Sequence, residues 1–329
     1  MLKTCRSCRK KPFCQDHNQI KLLSKDKIDS RLWLNEHVHT NYRPQNMSLN
    51  LCLRSIFQWN NETINIWSHL IGFLYFSWLQ YDSNFNKLAT FGASFQDHAI
   101  VSISILGYQS CMLFSTLYHI FGCINYDEHK KWLQLDVFGI SCALLGVYLG
   151  GIYTSFFCFE NILKRYLLGL LLICAVALYI PFKRDSLDFK LWENSRVGVL
   201  QCAYMAIVAF GVYPTIHWVQ LYGGFESPHV QKWTPAILTL YAFLAGAFFF
   251  YASLLPERLS VGTFDVVGCS HQWWHLLILI ALVKWQAVGL DLLEYYYSSI
   301  NSCQIAAGDL PFDHFDMKEN RNLTAYFGN

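Results

Sequence analysis

The 329-residue chain is 53% hydrophobic, 17% aromatic and only 15% charged, whereas about a quarter of the residues in a soluble domain carry charge. This composition excludes an ordinary soluble domain and predicts a protein whose solvent is the lipid bilayer. The net charge of +2 decides nothing by itself, but eleven of the 25 Lys and Arg residues precede residue 55.

The first 63 residues are polar and basic, and they are far longer than the charged start of a signal peptide. We therefore expect an uncleaved cytosolic N-terminal region over 1–63, with the first apolar stretch directing membrane insertion. Four residues in it have the ligand types of a small zinc site, namely Cys5, Cys8, Cys14 and His17. A basic tail lying on anionic lipid and palmitoylation of the cysteines are the two alternatives.

Seven apolar stretches follow, each with the roughly twenty residues that a helix needs to cross a hydrocarbon core about 30 Å thick. They lie near 64–81, 99–121, 133–157, 162–181, 197–219, 235–255 and 272–296. The sequence therefore predicts an all-α, seven-transmembrane helix bundle over 64–296 and a polar C-terminal tail over 297–329. A re-entrant hairpin around Glu160 and Asn161 is the alternative that would change the count.

Positive residues concentrate on the cytosolic side of membrane proteins. If the N-terminus is cytosolic, 18 Lys and Arg residues fall on that side and six on the other. The predicted orientation is N-terminus in the cytosol and C-terminus lumenal or extracellular. The glycosylation sequons at Asn46 and Asn61 should then stay unmodified, whereas the sequon at Asn322 is accessible to glycosylation.

The twelve cysteines do not have the pattern of a disulfide scaffold, because several fall inside apolar stretches. We expect buried free thiols at four of these positions: Cys111, Cys142, Cys174 and Cys202. Cys158 and Cys303 fall in predicted extracytosolic positions, where a single disulfide can form.

Ionisable side chains at membrane depth are costly and usually face a cavity or a partner. Ser115 and His119 lie four residues apart near the end of the second span, and His271 and His275 lie four apart at the start of the seventh. Asp136 lies at the start of the third span. With the predicted parity, all five residues lie at the cytosolic side of the bundle.

Three neutral imidazoles with an open fourth position form a catalytic type of zinc site. We expect His119, His271 and His275 to bind Zn²⁺. Asp136 is expected to hold a water molecule and take its proton, and Ser115 to donate a hydrogen bond to it. The alternative is that each histidine separately satisfies a backbone carbonyl or a neighbouring helix.

Two further histidines receive other interpretations. His69 is read as part of a polar helix start that hydrogen-bonds to a neighbour, with a direct metal role as the alternative. His217 ends the fifth span and is therefore expected on the opposite side of the membrane. It should not join the cluster.

Three motifs carry a resemblance to a known family: Glu62 to His69, Ser115-x-x-x-His119 with Asp136, and His271 to His275. The chain resembles the progestin and adipoQ receptor family, seven-span proteins related to the alkaline ceramidases, from about Cys52 to Trp285. The resemblance implies zinc ligation by the three histidines, and it implies that Ser115 and Asp136 belong to the superfamily's signature.

Within the family, the chain is most similar to a Golgi-resident member that traps Raf kinase, through Leu51 to His69, Gly211 to Trp218, and Pro256 to Arg258. This implies a Golgi membrane receptor or scaffold that restrains Raf/MAP-kinase signalling through its cytosolic N-terminal region. The cysteine cluster in that region departs from the family pattern.

The competing function is a zinc-dependent lipid amide hydrolase of the ceramidase type, with Asp136 and Ser115 catalytic. A ceramide or sterol-like lipid is the expected ligand, and no nucleic-acid motif is present.

Overall fold

The structure is a computed structural model that describes residues 20–182, 197–298 and 303. This part of the chain is helical, with no β-strand, and the predicted all-α class is confirmed. Leu23 and Tyr42 form an isolated antiparallel bridge. Two single turns of 3₁₀-helix, at Lys25–Lys27 and Ser30–Leu32, precede the α-helices. The α-helices are α1 (Leu49–Ser55), α2 (Thr63–Asp82), α3 (Leu88–Thr90), α4 (Phe95–Phe121), α5 (Tyr126–Ser155), α6 (Glu160–Tyr179), α7 (Val199–Phe210), α8 (Val212–Leu221), α9 (Pro228–Ser253) and α10 (Ser270–Tyr297).

Within the described residues, six stretches are long and apolar enough to cross a membrane, and they correspond to α4, α5, α6, α7 together with α8, α9 and α10. A multi-pass membrane protein is therefore confirmed. The first predicted span, 64–81, coincides with α2, which has 20 residues but is not among these six. The seven-span count stays a prediction, as does the orientation of the termini.

Several helices begin earlier than predicted because their first turns are polar and capped. α4 begins after Ser94, whose hydroxyl accepts from the backbone N–H of Asp97 while the Asp97 carboxylate accepts from Ser94. α5 begins after Asn125, whose side chain accepts from the backbone N–H of Glu128. Apolar stretches mark the part of a helix in lipid, and these capped turns extend beyond it.

The predicted fifth span is two helices that meet at Gly211. Pro214 has no N–H to donate to the carbonyl of Phe210, so the helical hydrogen-bond ladder is interrupted there. A Cβ atom at Gly211 would lie 2.7 Å from the hydroxyl oxygen of Tyr241, so the break is also a close helix contact. In contrast, the segment around Glu160 joins two separate long helices and forms no re-entrant hairpin.

α4 packs against α2 and α5, and α10 packs against α2, α5 and α9. The contact between α4 and α5 is close because glycines face it from both helices. A Cβ atom at Gly107 would lie 2.4 Å from the carbonyl oxygen of Cys142, and one at Gly146 would lie 2.6 Å from that of Ser104. Small residues therefore bring the backbones together, as in other membrane helix pairs. This contact fixes the end of α4 beside α5.

A disulfide joins Cys158, in the loop after α5, to Cys303, and their Cα atoms are 5.4 Å apart. The predicted pairing of these two cysteines is confirmed. The four cysteines expected as thiols are free, but their burial differs. Cys111 is buried, and Cys142 and Cys174 are half-buried. The prediction that Cys202 is buried is wrong: it is exposed on the outside of the bundle, a position that an apolar lipid-facing residue can occupy.

Residues 20–62 fold onto one end of the helices. They carry a small apolar core of Ile28, Leu32, Val38 and Tyr42. The Asp265 carboxylate, in the loop between α9 and α10, accepts from the backbone N–H of Thr40 at 2.8 Å and from its hydroxyl at 2.6 Å. Asn35 donates to Glu257 of the same loop at 3.0 Å. This N-terminal segment therefore covers the bundle end at which α4 finishes and α10 begins.

The predicted region boundaries at 63 and 297 stay predictions. The cluster of Cys5, Cys8, Cys14 and His17, the sequon at Asn322 and nearly all of the C-terminal tail lie outside the described residues.

Candidate metal centre

Three histidines meet at the covered end of the bundle. His119 lies in the last turn of α4, and His271 and His275 lie one turn apart at the start of α10. One ring nitrogen from each histidine lies within 4.8 Å of the others. His119 and His275 are buried, and His271 is half-buried. Among the described residues, these three histidines form the one group of at least three His, Cys, Asp or Glu side chains that lie close enough together to hold a metal ion.

Hydrogen bonds at the far side of two rings determine which nitrogens carry protons. Nδ1 of His119 lies 2.9 Å from Oε2 of Glu62, and a carboxylate can only accept. Nδ1 of His275 lies 3.3 Å from the hydroxyl of Ser68, which donates its own proton to the carbonyl of Asn65. If the rings are neutral, these contacts place the proton of each imidazole on Nδ1 and leave Nε2 to face the site.

The Nε2 atoms of His119 and His275 are 3.1 Å apart, and those of His119 and His271 are 3.3 Å apart. Two nitrogen lone pairs that face each other at this distance repel unless a cation lies between them. Ligand nitrogens about 2.05 Å from a tetrahedral zinc ion are about 3.3 Å from one another. The donor chemistry and the spacing both fit such an ion.

Glu62 orients the first of these rings. Its Oε2 also accepts from the side-chain N–H of Asn65 at 2.6 Å. Burial raises the pKa of the Glu62 carboxyl, but hydrogen bonds from His119 and Asn65 and the charge of Arg43 lower it and outweigh burial. The carboxylate is therefore ionised and accepts from His119. Metal-binding histidines usually have such a carboxylate partner.

Ser115 and Asp136 lie beside the three histidines, as their positions predict. Ser115 is buried one turn before His119 on α4. The carboxylate of Asp136, on α5, interacts electrostatically with the side chains of Ser115 and His119. The structure thus brings together all five residues singled out from the sequence, although their roles stay predictions.

Of the other two histidines singled out from the sequence, His69 contacts the three-residue group and His217 does not. The ring of His69 stacks on His275 with centroids 3.7 Å apart, and neither of its nitrogens has a hydrogen-bond partner among the described residues. It therefore supports His275 by ring contact, where a hydrogen bond was expected. His217 pairs with the hydroxyl of Tyr166 at 2.8 Å and lies on α8, separate from the cluster.

Comparison with known proteins identifies the family. The family model described as haemolysin-III related matches residues 57–286. The chain is 34% identical over 280 residues to progestin and adipoQ receptor family member 3 of Homo sapiens and of Mus musculus, covering 85% of this chain and 88% of each relative. The chain belongs to the haemolysin-III related family of progestin and adipoQ receptors. It is also 30% identical over 288 residues to the adiponectin receptor protein of Drosophila melanogaster (85% of this chain, 62% of that one). It is 26% identical over 326 residues to heptahelical transmembrane protein 3 of Arabidopsis thaliana (87% and 92%).

Two residues of this family member were missed as parts of the site. Arg43, which is buried, donates from one guanidinium nitrogen to the carbonyl oxygen of His119 and from another to that of Ile120, the latter at 3.0 Å. It satisfies carbonyls that the end of α4 leaves without helical partners. Glu62 is the first residue of the polar motif that runs to His69, and this place was the available signal. Nothing in the sequence pointed to Arg43.

Proposed function

We propose that this chain is a seven-span membrane receptor of the progestin and adipoQ type in which His119, His271 and His275 hold one Zn²⁺. The Nε2 atoms of His119 and His275 lie 3.1 Å apart, and this spacing supports a cation bound between them. The relatives' names support the rest: two are called receptors, and another is called heptahelical. α2 would be the seventh span, with the three histidines at the cytosolic side.

A regulatory role is supported by one observation above all: the N-terminal segment and the metal centre share hydrogen bonds. Arg43 contacts the backbone of His119, and Glu62 contacts its ring. A change at the three histidines would therefore reach residues 20–62 through two charged side chains. The proposed receptor signals through the conformation of this segment.

We further propose that the cytosolic partner is a Raf-type kinase bound through the N-terminal region, and that the protein resides in the Golgi membrane and restrains Raf/MAP-kinase signalling. The support is the similarity to family member 3, at 34% identity over 85% of the chain. The basic character of residues 1–63 is consistent with such a partner.

Pull-down of a Raf-type kinase with the full chain tests this partner. One variant replaces basic residues of the N-terminal region with glutamine, namely Arg6, Arg9, Lys10 and Lys11. The control variant neutralises four basic residues predicted on the opposite side, namely Lys87, Lys164, Arg165 and Lys232. The N-terminal variant should lose kinase binding and the control should keep it. Equal binding by the two variants would refute recruitment through the basic region.

A second function is favoured by the placement of Asp136 and Ser115 beside the histidines. It is hydrolysis of an amide-linked lipid such as ceramide. Bound zinc would supply a Lewis acid and lower the pKa of a nearby water molecule. The Asp136 carboxylate would then take the proton of that water and pass it to the leaving amine. Ser115 would hold Asp136 in place by its hydrogen bond.

An apolar cavity of about 70 Å³ lies between α5, α8, α9 and α10. It is lined mostly by aromatic and aliphatic side chains, including those of Tyr148, Trp218 and Trp285, but its volume is well below the roughly 300 Å³ of a pocket for a whole lipid-sized ligand. None of the three histidines lines it.

Release of fatty acid from a ceramide panel by the purified, zinc-loaded protein tests hydrolysis. Activity that Asp136→Asn abolishes while zinc content is unchanged supports it. A wild-type protein that holds zinc and releases no fatty acid rules out this function and leaves the receptor role in place.

A further inference from the structure

Lys284 lies at the middle of a membrane helix. α10 runs from Ser270 to Tyr297, so fourteen residues precede Lys284 and thirteen follow it. At 1.5 Å per residue it is ~21 Å from the start of the helix, close to the centre of a hydrocarbon core about 30 Å thick. The residue is exposed on the outside of the bundle. A lysine at this depth is costly unless its charge has a partner.

Carboxylates within the described residues do not supply that partner. Every ion pair found among them involves other residues. The nearest acids on α10 in sequence are Asp291 and Glu294, seven and ten residues further along. By helical rise these are ~10 Å and ~15 Å away along the axis. The ammonium group therefore faces the membrane without a counter-charge from this part of the chain.

Lys284 lines a groove of about 310 Å³ between α9 and α10. On α9 the groove follows a single helix face, formed by Pro235, Thr239 and Phe243. Pro235 has no N–H to donate to the helical ladder, and the hydroxyl of Thr239 donates to its carbonyl at 2.7 Å. On α10 the groove is lined by small residues on both sides of the lysine, Ala281 and Ala287. Another helix can pack into this groove, since small residues allow membrane helices to approach closely.

We propose that this groove binds a membrane-spanning helix of a different protein, and that this helix carries a carboxylate near its middle that pairs with Lys284. A second copy of this chain does not fit, because a parallel two-fold contact across the groove would place two Lys284 side chains together. A single-chain lipid fits less well, because its acid group prefers the membrane surface whereas a helix holds its carboxylate at mid-depth.

The experiment measures energy transfer in lipid vesicles between the labelled full-length protein and designed 24-residue Leu-Ala transmembrane peptides. One peptide carries a central Glu, and its matched controls carry Gln or Leu there. The Glu peptide should associate with the wild-type protein about tenfold or more tightly than either control. Lys284→Met should abolish this preference, and Lys284→Arg should keep it.

A second variant tests the groove without removing the charge. Ala287 is exposed and lines the groove, so Ala287→Trp should fill it and weaken binding of the Glu peptide while Lys284 remains. Unchanged metal content in each variant shows that the bundle is folded. Equal association of all peptides, or equal binding by Lys284→Met, overturns the proposal. Displacement of the Glu peptide by oleate, with oleate binding that also depends on Lys284, overturns the helix partner in favour of a lipid.

Discussion

The Nε2 atoms of His119 and His275 face each other at 3.1 Å across the contact between α4 and α10. With both rings neutral, two nitrogen lone pairs at this distance favour a cation between them. Glu62 and Ser68 hold the protons of the two rings on the opposite nitrogens, so the polar surroundings prepare both nitrogens for one cation. The site is therefore organised by residues of α2 and its preceding loop, which contribute no ligand themselves.

Metal content should depend on these rings. The purified protein is expected to contain about one zinc per chain by mass spectrometry. His119→Ala and His275→Ala should each lose most of it, because two imidazoles hold zinc far less tightly than three. His217→Ala removes a histidine that lies on α8, away from the site. It is the matched control and should retain the metal. A zinc-free wild type, or zinc retained by both site variants, would contradict the proposed centre.

Substitution of Glu62 should weaken zinc binding without removing a ligand. In Glu62→Gln the amide can donate to Nδ1 of His119. This permits the tautomer in which Nε2 carries the proton and cannot bind the metal. Zinc affinity, measured by competition with a fluorescent chelator, should fall about 10- to 100-fold. Glu128→Gln alters a half-buried carboxylate that pairs with Lys131, and its affinity should equal that of the wild type. An unchanged affinity in Glu62→Gln would remove the orienting role.

Helix parity and histidine spacing were enough to bring the site together from the sequence. Because α4 ends where α10 begins, residues 119, 271 and 275 had to share one end of the bundle. The hydrogen bonds of Glu62 and Arg43 to His119 could not be foreseen, since they join residues 57 and 76 positions apart and leave no periodic signal. Pairwise side-chain contacts of this kind depend on packing.

The fold was predictable to a similar depth. Apolar runs located the long helices, but polar capped turns such as the one at Ser94 lengthened them. The same rule failed at Pro214, where a single apolar stretch contains two helices. Hydropathy also leaves α2 below the level of the six candidate spans, because polar residues such as Asn65, Ser68 and His69 interrupt its apolar sequence.

The orientation of the chain can be read from its sequons. With the C-terminus outside the cytosol, wild-type protein from mammalian cells should lose mass on treatment with an N-glycosidase, and Asn322→Gln should not. Asn46→Gln should behave as the wild type does. The Cys158–Cys303 disulfide should persist in the same preparation, since disulfides form on that side of the membrane. A glycan that maps to Asn46 would reverse the orientation.

Asp97 should dominate the stability of the other end of the bundle. It is fully buried, and its carboxylate accepts from the hydroxyls of Tyr153 and Tyr297 at 2.7 and 2.6 Å and from the backbone N–H of Ser94 at 2.7 Å. It thereby joins the start of α4 to the ends of α5 and α10. Asp97→Ala removes the carboxylate that accepts from two phenol hydroxyls and removes a helix cap, so the free energy of unfolding should fall by about 3 kcal/mol.

The matched variants divide this effect into parts. Tyr153→Phe removes one donor and leaves the cap intact, so it should cost about 1 kcal/mol. Asp82→Ala removes an aspartate whose hydrogen bond is to exposed Asn86, and it should stay within about 0.5 kcal/mol of the wild type. Thermal melting in detergent, followed by intrinsic fluorescence, ranks the three.

Because Asp97 lies at the bundle end away from the histidines, Asp97→Ala should keep its zinc at low temperature while it melts early. Zinc loss that accompanies the early melting step is expected, whereas zinc loss before melting would mean that the two ends of the bundle are coupled in the folded state.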